Sequence, residues 1–89
     1  MSVQLVDFYA DWCGPCVAMN PVIKELEKEL GDKVEIKKID VDQNQEETSK
    51  YGVMSIPTYL ILKDGQEIDR FVGVTSKEVI KNKVLQHAS

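Results

Sequence analysis

The chain has 89 residues, 43% of them hydrophobic, and a net charge of −4 with its basic residues scattered. This bounds it to one domain, residues 1–89, argues against a clustered basic footprint for nucleic acid, and leaves no apolar run near the ~20 residues of a membrane helix. Two cysteines are too few for a disulfide-stapled secreted scaffold, and a strand beginning by Val3 leaves no room for a secretory leader, so a cytoplasmic setting is expected.

An apolar strand is predicted over residues 3–10, followed at once by Trp12-Cys13-Gly14-Pro15-Cys16. A helix follows over residues 15–30. Its apolar positions Met19, Val22, Ile23, Leu26 and Leu30 recur at helical spacing, Gly31 is its stop, and Pro21 should remove one hydrogen bond and bend it. A second strand covers residues 34–41, and a short helix covers residues 45–51 and ends at Gly52. Strands over 58–63 and 67–72 flank Lys63-Asp64-Gly65-Gln66, where Asp-Gly between apolar runs signals a hairpin. The last helix opens on a capping box, Thr75-x-x-Glu78, and runs to residue 86. The order βαβαββα gives a strand–helix–strand unit with two parallel strands and an antiparallel hairpin: an α/β fold with a four-stranded mixed sheet packed with helices.

Both cysteines of the chain lie in one five-residue stretch between a strand and a helix. Thiols at that spacing can close into a small disulfide ring and reopen. A thiol at a helix N-terminus meets the positive end of the dipole and unpaired N–H groups, which favour the thiolate, the reactive form in disulfide exchange. Cys13, just before the helix, is the candidate nucleophile, and Cys16, one turn in, the candidate resolving thiol. Trp12 offers an apolar surface beside them. A histidine between the cysteines would stabilise the thiolate and make the pair more oxidising; here the two residues are Gly14 and Pro15, which favours a reductant. Asp7 interrupts the first strand on the same alternation as Leu5 and Tyr9, and burial there would raise its pKa.

The stretch WCGPC and its flank VDFYADWCGPC resemble the active-site signature of the thioredoxin family, and the element order resembles a minimal thioredoxin fold. The resemblance covers essentially the whole chain but not the whole of an ordinary member, which carries one more strand and helix at its start. Glu35 and Lys37 would lie on the sheet face that this absent helix covers, where charge suits exposure, so a domain adapted to the shorter form is expected. A monomer is expected, with the bare face open to a dimer or a partner contact. The resemblance implies that Asp7 is the buried proton acceptor for the resolving thiol and that Lys38 is the lysine approaching it, completing a catalytic set of Cys13, Cys16, Asp7 and Lys38. It also implies that Ser55-Ile56-Pro57-Thr58 is a cis-proline loop beside the cysteines, where the backbone of Ile56 pairs with an extended substrate segment, as in strand addition. Trp12, Ile56, Pro57, Val72 and Gly73 would then line the substrate groove, with Val74 at its rim. Tyr9 stands where the family often has tryptophan near Asp42. Met54 fits either an apolar substrate contact or a loop filler.

Other readings of the cysteines are weaker. A structural disulfide closing so short a loop removes little unfolded-chain entropy. Structural zinc wants four ligands, so only a dimer pooling two cysteine pairs would supply them, and no metal is expected. A binding module without redox work finds no support in a chain that keeps both cysteines and Asp7, and Gly14-Pro15 disfavours an oxidase or isomerase. The expected activity is protein-disulfide reduction, acting on disulfide-containing target proteins. The chain has no Gly-rich nucleotide fingerprint, so no cofactor is expected and a separate thioredoxin reductase must recharge it.

Overall fold

A computed structural model describes residues 2–88. The elements are β1 (Val3–Tyr9), α1 (Gly14–Leu30), β2 (Glu35–Asp40), α2 (Gln45–Lys50), β3 (Thr58–Lys63), β4 (Gln66–Val72) and α3 (Lys77–Ala88). They form a four-stranded sheet of order β2-β1-β3-β4. β1 runs parallel to β2 and antiparallel to β3, and β3 runs antiparallel to β4, so the sheet is mixed as expected.

Each sheet face has its own core. Val3, Leu5, Tyr59 and Ile61 on one face meet Met19, Ile23, Leu26 and Leu30 of α1 and Ile80 and Val84 of α3. On the other face Val6, Phe8, Ile39, Leu60 and Leu62 pack against Tyr51, Val53 and Ile56 from the segment that follows α2. β1 and β3 therefore bury both faces, which is why their sequences read as nearly unbroken apolar runs. The outer strand β2 keeps Glu35, Lys37 and Lys38 exposed, and charges of this kind blunt an open strand edge.

The buried positions of α1, namely Cys16, Met19, Ile23, Leu26 and Leu30, step by three and four and trace one stripe. Pro21 sits on the exposed side, and the helix runs through it. The backbone bond lost there would have gone to Val17, itself exposed and open to water. At the hairpin, Lys63 pairs with Gln66 across Asp64 and Gly65, both at positive φ (52° and 86°). That is the pair of dihedrals a two-residue type I′ turn demands, so the Asp-Gly signal holds.

One cap differs from expectation. α3 begins one residue later than a Thr75 cap would give: the Ser76 hydroxyl accepts from the Val79 N–H, while the Thr75 hydroxyl donates back to the Gly73 carbonyl. Thr75 is drawn into the turn that follows β4, so the neighbouring serine takes the capping role.

Candidate functional site

The site forms where β1 hands the chain to α1. Cys13 is the N-cap of α1 in extended backbone (φ −86°, ψ 111°), and its Sγ accepts from the Cys16 N–H at 3.2 Å. A donor normally orphaned at a helix start is thus aimed at this sulfur. Cys13 and Cys16, with Cα atoms 5.2 Å apart, are joined as a disulfide, so the structure is that of the oxidised form. Residue exposure does not separate the two cysteines, since both are buried. The backbone donor does, because it serves Cys13 alone.

The Ile56–Pro57 peptide is cis. Its loop closes over the cysteine pair, with the Ile56 carbonyl oxygen 3.8 Å from Cys13 Sγ. Several contacts hold the loop. The Thr58 hydroxyl donates to the Ser55 carbonyl, and the Gly73 N–H donates to the Pro57 carbonyl at 2.8 Å. Arg70 of β4 donates to the carbonyls of Tyr51 and Gly52 while paired with Glu67, tying β4 to the segment entering the loop. Val72 is paired with Thr58, so Val72 and Gly73 lie beside Pro57. Gly73 adopts φ +87°, a conformation side-chain-bearing residues rarely reach.

Around these groups the surface is apolar and open. Trp12 is 71% exposed, Met54 97%, Val72 58% and Val74 67%. Between Trp12 and Met54 a shallow depression of about 180 Å³ is completed by Val41, Thr48, Val53, Ser55 and Ile56. Met54 is therefore a presented side chain rather than loop filling. The Trp12 indole N–H donates to the Asp42 carboxylate at 2.7 Å, which holds the ring at the rim. Asp42 is thus engaged by Trp12, whereas Tyr9 lies under Lys38, whose Nζ is 4.7 Å from the ring centroid.

Asp7 of β1, the strand that leads to the pair, is 3% exposed. It shares its sheet face with Leu5 and so lies under α1, and it is paired in register with Lys38 on one side and Tyr59 on the other. Burial pushes its carboxyl up from 3.8 to about 6, and the positive charge of Lys38 partly offsets this. A carboxyl so placed is ionised at neutral pH yet basic enough to take a proton. A cavity of about 170 Å³ lined by Tyr9, Cys16, Asn20 and Lys38 opens beside this region.

The structure thus gathers Trp12, Cys13, Gly14, Pro15, Cys16, Ile56, Pro57, Val72 and Gly73 around one disulfide; Lys38 shares a cavity lining with Cys16, and Asp7 is its register partner on the sheet. Sequence reasoning missed the Asp42 anchor for Trp12 and the Arg70 clamp. Asp42 follows a strand end and Arg70 sits in an outer strand, so neither stands out in sequence.

Comparison with known proteins agrees with this geometry. The family profile described as Thioredoxin matches residues 1–86. The chain is 55% identical to the thioredoxin of Bacillus subtilis (strain 168) over 86 residues, spanning 97% of this chain and 83% of that one. It is 48% identical over the same spans to the thioredoxin of Staphylococcus aureus. Among solved structures, a mutant thioredoxin from Halobacterium salinarum NRC-1 superposes with a TM-score of 0.91 at 38% identity, covering 99% of this chain and 76% of that one. The thioredoxin of Fasciola hepatica superposes at 0.88 with 42% identity, over 97% of this chain and 81% of that one.

Proposed function

Because this chain belongs to the thioredoxin family and carries out dithiol–disulfide exchange through its Cys13–Cys16 pair, we propose that it runs that exchange as a reductant of protein disulfides, with Cys13 as the attacking thiol. The observation that carries the choice of Cys13 as the attacking thiol is the backbone donor from Cys16 to Cys13 Sγ at the start of α1; the reducing direction rests on Gly14-Pro15 between the cysteines and on the family. In the reduced protein the same N–H stabilises a Cys13 thiolate, as does the helix dipole.

The thiolate attacks a target disulfide, forming a Cys13–target mixed disulfide and expelling one target thiolate. Cys16 gives up its proton to the Asp7 carboxylate and attacks the Cys13 sulfur. The second target sulfur leaves as a thiolate, and the Cys13–Cys16 disulfide remains. The target gains two electrons, and the dithiol loses two. Lys38 limits how far burial raises Asp7, keeping the carboxyl available as a base. An extended target segment pairs with the backbone at Ile56 and lies between Trp12 and the Val72-Gly73 turn, where exposed apolar side chains flank the loop that reaches Cys13.

A separate thioredoxin reductase returns the dithiol. The setting is read as cytoplasmic and the working state as a monomer. The net charge of −4 with dispersed basic residues supports protein partners over nucleic acid, and among the described residues no helix is long and apolar enough to cross a membrane.

Two measurements test this reading. Cys16→Ser should trap the mixed disulfide through Cys13, visible by mass spectrometry, whereas trapping only in Cys13→Ser would reverse the order of attack. The reduction potential of the pair should lie near the value of about −270 mV that thioredoxins show; a value near that of protein disulfide isomerase, about −180 mV, would reverse the proposed electron flow.

A further inference from the structure

Two side-chain atoms in the described structure are buried without a hydrogen-bond partner: Asp7 Oδ1 and the Tyr59 hydroxyl oxygen. They belong to residues directly opposed in the β1–β3 register, on the face covered by α1. Opposed residues on one face hold their Cβ atoms about 4.5–5.5 Å apart. Tyr59 is fully buried and Asp7 is 3% exposed, so bulk water does not serve either group. A buried tyrosine hydroxyl normally finds a partner, and leaving one unmet is costly. Leucine or phenylalanine would fill this space without that cost, so a tyrosine here calls for a polar account.

We propose that Tyr59 is a positioning residue for Asp7: its hydroxyl, which makes no direct bond to the carboxylate, is linked to it through one internal water and so sets the pH at which the proton acceptor behind the cysteines becomes available. The proposal rests on the reading of Asp7 as acceptor for Cys16 and adds to it a residue that touches neither cysteine nor target. Burial and the Asp7 charge both push Tyr59 up, so the hydroxyl stays protonated and remains a donor throughout the working range. Through the water it serves both states of the carboxyl, since water and hydroxyl can each reverse as donor and acceptor. The charge-assisted bond to the anion is the stronger of the two, so the hydroxyl favours ionised Asp7.

The other groups around Asp7 do not duplicate this. Lys38 on β2 is exposed and lies over the Tyr9 ring, acting on Asp7 through its charge. Tyr9, two residues along β1, is only partly buried and is itself pushed up, first by desolvation and then by the charges of Asp40, Asp11 and Asp7. From α1 the neighbours on this face are Cys16, Met19 and Ile23, and from α3 they are Ile80 and Val84. The α3 lysines Lys77 and Lys81 are engaged by Glu25 and Glu29 at the surface.

Tyr59→Phe removes the hydroxyl and keeps the ring, so the core stays filled, and a thermal melt of the same sample verifies the fold. Carbon-13 NMR of the Asp7 carboxyl in the oxidised protein should place its midpoint about one pH unit higher in Tyr59→Phe than in the parent, equivalent to about tenfold less carboxylate at a fixed pH below the midpoint. The acid limb of the Cys16 resolving step should move by the same amount, and in an Asp7→Asn background Tyr59→Phe should leave that step unchanged. An Asp7 midpoint that does not move in folded Tyr59→Phe overturns the proposal. A midpoint that moves while Asp7→Asn leaves the resolving rate and its pH profile intact supports the pairing but overturns the role of Asp7 in exchange.

Discussion

The two sides of the Cys13–Cys16 pair are built from opposite materials. Behind it, toward the sheet, Asp7 and Tyr59 are shut under α1 in a core of Leu5, Met19, Ile23 and Ile61. In front of it, Trp12, Met54, Val72 and Val74 stand in water around a shallow depression. The buried side withholds water from a charge, so one carboxyl placed there holds its proton unusually well. The open side leaves apolar area uncovered, the condition for transient binding of a partner segment. The difference teaches that proton handling and partner recognition are carried by separate regions that meet only at the disulfide, so each should be alterable alone.

Asp7→Asn should produce the largest separation. Loss of the acceptor is expected to slow the resolving step at neutral pH by about 10²-fold, read by stopped-flow tryptophan fluorescence, with little change in KM for a protein target. The same substitution should stabilise the fold above pH 6. The folded carboxyl is raised from 3.8 to about 6, so the folded state holds the proton more tightly than the unfolded chain does. The penalty is absent below pH 3.8, grows as pH rises to 6 and is complete above it, at about 3 kcal/mol. Asparagine carries no charge at any of these pH values, so its gain in melting temperature should be greatest at pH 7 and fade by about pH 4. An equal gain at both pH values would remove burial of the charge as the cause.

Trp12→Ala acts on the open side. It should raise KM for a protein disulfide about tenfold while leaving reduction of a small dithiol-sensitive dye and the Asp7 midpoint nearly unchanged. A matching loss on the small substrate would mean that Trp12 supports the cysteines themselves, and the two regions would not be separable there. The smallest effect is expected remote from both. Glu29 is held well below the usual carboxylate range by Lys77 and Lys81, joining α1 to α3 at the surface. Glu29→Gln should leave exchange unaffected and shift the melting temperature only slightly at low salt, with the shift gone at about 1 M salt. A salt-independent shift would identify packing rather than charge as the link between these helices.

Much of this could be read from the residues, because local signals carry local physics. The apolar stripe of α1, the Asp64-Gly65 turn and the cysteine spacing each depend on a few neighbouring residues, and each stands in the structure as expected. The cap of α3 was misplaced by one residue because Thr75 and Ser76 can both cap, and the Gly73 turn draws Thr75 away. What the sequence by itself determined is the fold class, the redox pair and the identity of Asp7 as a polar residue out of place in an apolar strand. Only the tertiary structure decided what surrounds that residue. The register that sets Asp7 between Lys38 and Tyr59, the Asp42 carboxylate that holds Trp12 and the Arg70 clamp on the loop before Pro57 join positions from 18 to 52 residues apart or match strands across the sheet. Such contacts arise from packing two faces of one sheet at once. No local pattern encodes them, because propensity and periodicity act over a few residues, whereas burial and charge act through space.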